Sequence, residues 1–264
     1  MKKALLVVSF GTSYHDTLEK NIVACEQALA ASCPDRVLFR AFTSGMIIRK
    51  LQQRDNVHID TPAQALKRLV DLGYQDVAVQ SLHIINGDEY EKVVRDVAQY
   101  QGSFRRLVMG APLLSGFDDY QQLQIALRQQ MPVLQANEQV IFMGHGASHH
   151  AFAAYACLDH MMMATGFPAR VGAVESYPEV DQLVASVRQQ GVTRVALMPL
   201  MLVAGDHAIN DMASDEPDSW KTHFEQAGIT ATPYLQGLGE NPAIRAMFVD
   251  HLQKALMDNQ QEAA

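Results

Sequence analysis

The chain has 264 residues, with 21 lysines and arginines against 29 aspartates and glutamates, for a formal net charge of −8. Nearly half of it is apolar, which excludes a disordered segment and allows one large α/β domain or two small ones. The acidic balance argues against generic binding to nucleic acid or anionic membranes, because both need a basic face.

The N-terminus, Met1-Lys2-Lys3 followed by apolar Ala4 to Phe10, imitates a secretory signal. The run is short, breaks at Gly11 and is followed by Asp16, Glu19 and Lys20, so it reads as a first buried strand. From there short apolar runs alternate with amphipathic stretches. Strands are expected at Ala4–Ser9, Val37–Phe42, Asp76–Gln80, Arg106–Met109, Gln139–Met143, Arg170–Val174, Thr193–Met198 and Ala231–Leu235. Helices are expected at Asp16–Ala31, Thr61–Leu72, Asp88–Tyr100, Asp118–Gln130, His149–Thr165, Pro178–Gln190, Asp218–Gln226 and Pro242–Asn259. Arg49, Lys50 and Arg54 read as a solvated helix face, with steering of an anionic substrate as the alternative, and the tail Asn259–Ala264 as a frayed end. Strand–helix alternation with unbroken apolar strands is the signature of parallel sheet covered on both faces. No apolar stretch is long enough to span a membrane. Cys25, Cys33 and Cys157 are too few and too irregularly spaced for a disulfide framework, which suits a reducing cytoplasm.

The strands divide into two sets of four, and the halves resemble each other. Gly73 to Glu89 aligns without a gap on Gly191 to His207. Ser9-Phe10-Gly11-Thr12-Ser13 lies over Gly144-His145-Gly146-Ala147-Ser148, and Ala41-Phe42-Thr43-Ser44 over Ala173-Val174-Glu175-Ser176. The expected organisation is therefore a half-domain over residues 1–131 and another over 132–264, joined around Pro132–Glu138.

Ligands of open parallel sheets bind beyond the carboxyl ends of the strands. In the second half that edge carries His145, Glu175 and His207, with Phe10, Thr43 and Glu89 at the matching places of the first. Each has a plain alternative: His145 as a turn residue between glycines, Glu175 as a helix cap, His207 as a first-turn residue after Asp206. Together, two imidazoles and a carboxylate form a set for a borderline divalent metal such as cobalt, nickel, zinc or iron, with coordination positions left open. Glu89 could face the same cleft as a carboxylate. Ser148 is not a hydrolase nucleophile by pattern, since Gly144-His145-Gly146 puts histidine at the elbow centre. His149 and His150 read as a surface helix start, and Met161-Met162-Met163 as core packing. Gly11-Thr12-Ser13 lacks the lysine of a P-loop, although its amides could hold a ligand carboxylate.

Ser9-Phe10-Gly11-Thr12-Ser13, Gly144-His145-Gly146, Val174-Glu175-Ser176-Tyr177-Pro178, and Pro199-Leu200 running to Gly205-Asp206-His207-Ala208-Ile209-Asn210-Asp211-Met212 resemble the class II tetrapyrrole chelatases, in particular the anaerobic sirohydrochlorin cobaltochelatases of the CbiK family. The resemblance covers essentially the whole chain, in order. It implies two similar lobes, each a four-stranded parallel sheet flanked by helices, with a cleft between them. It implies a cytoplasmic lyase that inserts Co²⁺ into sirohydrochlorin in anaerobic cobalamin biosynthesis, with no nucleotide and no cofactor beyond the metal substrate. The family's metal ligands fall on His145, Glu175 and His207. Catalytic roles fall on His145, also the base, and on His207. Substrate-cleft positions are expected at Phe10, Gly11, Thr12, Ser13, Glu89 and Leu202. The alternatives are a sirohydrochlorin ferrochelatase or nickel chelatase, a non-catalytic metal or tetrapyrrole carrier, and a two-lobed solute-binding module. No nucleic-acid or membrane partner is expected, and a homo-oligomer is left open.

Overall fold

A computed structural model describes residues 1–261 of the chain. It contains eight strands: β1 (Lys3–Ser9), β2 (Val37–Phe42), β3 (Asp76–Ser81), β4 (Arg106–Gly110), β5 (Glu138–Gly144), β6 (Ala169–Ala173), β7 (Arg194–Pro199) and β8 (Thr230–Pro233). The α-helices are α1 (His15–Thr17), α2 (Ala24–Ser32), α3 (Gly45–Asp55), α4 (Pro62–Asp71), α5 (Asp88–Tyr100), α6 (Phe117–Arg128), α7 (Ala153–Ala164), α8 (Val180–Gln189), α9 (Trp220–Gln226) and α10 (Pro242–Gln261). All eight expected strands are present within one or two residues at each end. The frayed tail expected from Asn259 falls, from residue 262 onward, outside the described residues. Among the described residues no helix is long and apolar enough to cross a membrane.

Two all-parallel four-stranded sheets form, with orders β2-β1-β3-β4 and β6-β5-β7-β8. The order is the same in both, as the repeated sequence requires. The registers agree as well: Lys3 pairs with Asp76 in one sheet, and its counterpart Glu138 pairs with Arg194, the counterpart of Asp76, in the other. The signal-like segment is thus a central strand, buried on both faces from Ala4 to Ser9. Each sheet has its own apolar core. Leu6, Val8, Leu66, Val79 and Val93 contribute to one, and Ile141, Leu183, Leu197, Met212 and Phe224 to the other.

The compact units do not coincide with residues 1–131 and 132–264. One comprises Met1–Asp119 together with the chain from Pro242 onward; the other is Tyr120–Asn241. The final helix α10 packs on α2, β3 and β4 of the first unit. Its His251 bonds Asp119 (3.0 Å), its Gln253 donates to the Ser32 carbonyl (3.1 Å), and Arg106 donates to its Leu256 carbonyl. Most of α6, although it follows β4, belongs to the second unit, where the Asn241 side chain donates to the Ala126 carbonyl (2.8 Å). A sequence pattern shows that a helix has an apolar face, not which sheet covers it.

A second correction concerns the match between halves. Ser9 pairs with Phe42 and Gly144 with Ala173, so Glu175 corresponds to Ser44 and not to Thr43. The loop bonds agree: the Ser44 amide donates to the Phe10 carbonyl (3.2 Å) as the Glu175 amide does to the His145 carbonyl (2.9 Å). The helix face expected at Arg49, Lys50 and Arg54, for which the sequence pattern supplied no bounds, is that of α3. Its start is set by Ser44, whose hydroxyl accepts from the Ile47 amide (3.3 Å).

Candidate functional site

His145 follows β5 directly. Its loop depends on two glycines. A side chain at Gly144 would place its Cβ 2.4 Å from the Tyr155 ring. Gly146 has φ +92°, and a Cβ there would lie 2.7 Å from Ser176 Oγ and 3.0 Å from the Glu175 nitrogen. Only glycine lets the two loops approach this closely with that backbone. The loop carrying Glu175 is held by backbone bonds from Val174 to the Gly144 carbonyl (3.0 Å), from Glu175 to the His145 carbonyl (2.9 Å), and from Ala173 to the Pro178 carbonyl (2.8 Å). Beneath, the Tyr155 phenol is buried, with the Gly146 and His145 backbone near it. Burial pushes it up to about 12, against the lowering effect of that backbone.

His207 reaches the same place from β7. After Pro199 the chain crosses a short loop and enters a helical turn at Asp206, which continues as a π-helical turn over Ala208–Met212. Such turns recur at functional sites because they re-aim side chains. The His207 and His145 rings meet edge to face, 4.5 Å between centroids at 88°. His145 Nδ1 lies 3.7 Å from Glu175 Oε2. One ligand atom from each of His145, Glu175 and His207 lies within 4.8 Å of the others. Metal bonds of about 2.1 Å put ligand atoms about 3.4 Å apart, so side-chain adjustment alone closes the set. Among the described residues no fourth histidine, cysteine or carboxylate joins this group, and Glu175 is exposed, so a metal held here keeps open positions.

The tautomers follow from the partners. His145 Nδ1 faces the Gly146 carbonyl oxygen at 3.1 Å and donates to it, leaving Nε2 with its lone pair. His207 Nδ1 donates to Asp211 Oδ2 at 2.5 Å, again leaving Nε2 free. A carboxylate behind a histidine fixes its ring and raises its basicity as a ligand. Asp211 was not singled out from sequence, although its spacing of four residues from His207 in a helical turn is the signal that finds it.

The other expected positions behave differently. Phe10 is well exposed at the end of β1, at 43%. Gly11, Thr12 and Ser13 are buried; the Thr12 hydroxyl meets the Thr17 hydroxyl (3.1 Å) and accepts from the Tyr14 amide (3.2 Å). Glu89, the counterpart of His207, is half-buried and paired with Lys92, while its Oε2 has no hydrogen-bond partner. Nearby His83 sits between Ser81 Oγ (2.8 Å) and Thr43 Oγ1 (3.4 Å), and burial lowers it to about 4, against the raising effect of Glu89. Leu202 is partly buried in the loop after β7. His149 caps the turn leading into α7 by accepting from the Ala151 amide (3.2 Å). Of the methionine triplet, Met162 is core, Met161 is partly covered and Met163 is exposed. The three cysteines are free.

Two parallel sheets of one topology, with an open His–Glu–His set at the carboxyl edge of one of them, define a metal chelatase of the class II type. A family model described as cobalt chelatase (CbiK) matches residues 3–257, and the chain belongs to that family. It is 75% identical over 264 residues to the sirohydrochlorin cobaltochelatase of Salmonella typhimurium, covering 100% of each chain. It is 33% identical over 258 residues to sirohydrochlorin cobaltochelatase CbiKC of Nitratidesulfovibrio vulgaris, covering 97% of this chain and 91% of that one. The structure of SirB from Bacillus subtilis with Fe³⁺ shares the fold at a TM-score of 0.66 and 16% identity, covering 99% of this chain and 98% of the other.

Proposed function

We propose that His145, Glu175 and His207 receive Co²⁺ and deliver it to sirohydrochlorin. The chain is a sirohydrochlorin cobaltochelatase, an enzyme that metallates a tetrapyrrole in cobalamin synthesis. The observation that carries the site assignment is the convergence of the three side chains within 4.8 Å.

Metallation exchanges two pyrrole N–H protons for one divalent ion. Neutral imidazoles suit both sides of that exchange, since each can ligate the metal and then, once released, accept a proton near neutral pH. The metal rests on the Nε2 atoms of His145 and His207 and on the Glu175 carboxylate. As it passes to the ring nitrogens, the two freed lone pairs take up the two protons. Glu175 remains anionic and offsets the charge on the imidazolium rings. Gly146 and Tyr155 keep His145 in place, and Asp211 keeps His207 in place. No nucleotide and no resident cofactor enters this scheme, and the reaction suits a cytoplasmic enzyme. The residue set does not by itself choose Co²⁺ over Fe²⁺ or Ni²⁺, because stability order and supply decide much of that choice; the family supports cobalt.

The test follows the absorbance of sirohydrochlorin on addition of Co²⁺, Fe²⁺ or Ni²⁺, with wild type and His145→Ala. Cobalt insertion by wild type, lost in the variant by the ~10²–10⁴-fold that a positioned base contributes, is expected. Equal turnover by the two proteins would overturn the assignment of His145. Tight Co²⁺ binding without any catalysed spectral change would favour a carrier.

A further inference from the structure

The two units act as internal controls for each other. Between β6 and β7 the second unit has one helix, α8; between β2 and β3 the first has two, α3 and α4. The counterpart of α8 is α4, because both are followed by a glycine of positive φ, Gly191 (+73°) and Gly73 (+74°), and then by matching strands. The extra element is α3, which begins three residues past the carboxyl end of β2, at the edge of the sheet where ligands of parallel sheets bind.

One face of this helix is Met46, Arg49, Lys50, Gln53 and Arg54, a spacing of three, four, seven and eight residues. On most helices that stripe is the apolar seam. Here it is exposed and cationic, an open surface of Met46, Arg49, Lys50, Gln53 and Arg54. Arg54 bonds Asp55 (2.6 Å) and the Ser13 carbonyl (2.6 Å), which ties the stripe to the loop following β1. Arg49 and Lys50 have no carboxylate at ion-pair distance among the described residues, and the Lys50 ammonium lies 5.8 Å from the centre of the Tyr14 ring. A chain of net charge −8 therefore keeps unneutralised cations side by side at one sheet edge.

Resting on the function proposed above, we infer that the Arg49–Lys50 face of α3 is a carboxylate-binding subsite that holds peripheral acid groups of the tetrapyrrole. Sirohydrochlorin carries eight carboxylates, and an acidic protein must offset them locally. One free guanidinium fork, that of Arg49, beside the Lys50 ammonium suits neighbouring acetate and propionate groups, while Arg54, already paired with Asp55, anchors the stripe to the loop after β1.

The test is an equilibrium titration of sirohydrochlorin, without metal, into wild type, Arg49→Glu/Lys50→Glu, and the control Arg105→Glu/Arg188→Glu, which makes the same charge change at exposed sites elsewhere. Affinity is expected to fall at least about tenfold in the first variant and by less than about twofold in the control. The loss should appear in KM during turnover, and the salt dependence of binding should weaken. Calorimetric titration with Co²⁺ alone should give the same affinity in all three. The octamethyl ester of sirohydrochlorin should bind wild type and the α3 variant alike. Equal sirohydrochlorin affinity in wild type and the α3 variant, with wild-type chelation intact, overturns the α3 subsite alone. Failure of wild type to metallate sirohydrochlorin overturns the functional reading on which it rests.

Discussion

The two units have the same strand order, corresponding registers, and a positive-φ glycine two residues beyond the first strand of each, Gly11 (+98°) and Gly146 (+92°). Their carboxyl edges nevertheless carry different chemistry. Where the second unit has His145, Glu175 and His207, the first has Phe10, Ser44 and Glu89. Ser44 caps a helix that the second unit lacks, and Glu89 pairs with a lysine. The backbone scaffold therefore tolerated divergence of the loops that leave it. The central strands β1, β3, β5 and β7 are largely buried on both faces and constrained by packing, whereas the loops past their ends are free to change.

The comparison breaks most visibly at the second unit. His207→Ala should reduce chelation by at least about 10²-fold, combining loss of a ligand and of a proton acceptor, with far-UV circular dichroism unchanged because the residue is partly exposed. The substitution at the equivalent place in the first unit, Glu89→Gln, should cost less than about tenfold in the same assay. A larger loss for Glu89→Gln than for His207→Ala would reverse the assignment of the reactive unit.

Asp211→Asn comes next. The amide keeps the shape and removes the charge behind His207, and Co²⁺ affinity by calorimetry should fall about 10–100-fold. An unchanged affinity would mean that the 2.5 Å contact does not orient the ring. Tyr155→Phe should act on stability: the buried hydroxyl beside the Gly146 and His145 backbone is removed, at a cost of about 1–3 kcal/mol in urea unfolding. The accompanying loss of chelation should be smaller than that of Asp211→Asn, since the Gly146 backbone still fixes the loop.

The smallest effect lies in the first unit. His83 is held neutral, with its folded value lowered from 6.5 to about 4 by burial. Below about pH 6.5 the unfolded chain binds a proton that folded His83 does not. This contribution to stability is therefore present above pH 6.5 and is lost as pH falls toward 4. The urea midpoint of His83→Gln should drop less than that of wild type between pH 7.5 and 5. Equal drops would show that His83 is solvated in the folded protein.

Much of this was legible in the chain itself. Alternating apolar runs and amphipathic stretches gave every strand, because strand and helix periods are local properties of the backbone. The gapless match of Gly73–Glu89 to Gly191–His207 gave the repeat, and the rule that ligands sit past strand ends gathered His145, Glu175 and His207 from across more than sixty positions. The tertiary structure alone decided what depends on burial between distant segments. It placed α10 on the first sheet and most of α6 in the second unit, because an amphipathic helix settles on whichever sheet covers its apolar stripe. It moved the counterpart of Glu175 from Thr43 to Ser44, because a parallel register is set by hydrogen bonds between strands and not by similarity of letters. It turned Asp211 toward His207 and exposed the cationic face of α3, because the direction of a side chain is fixed only once its helix is packed.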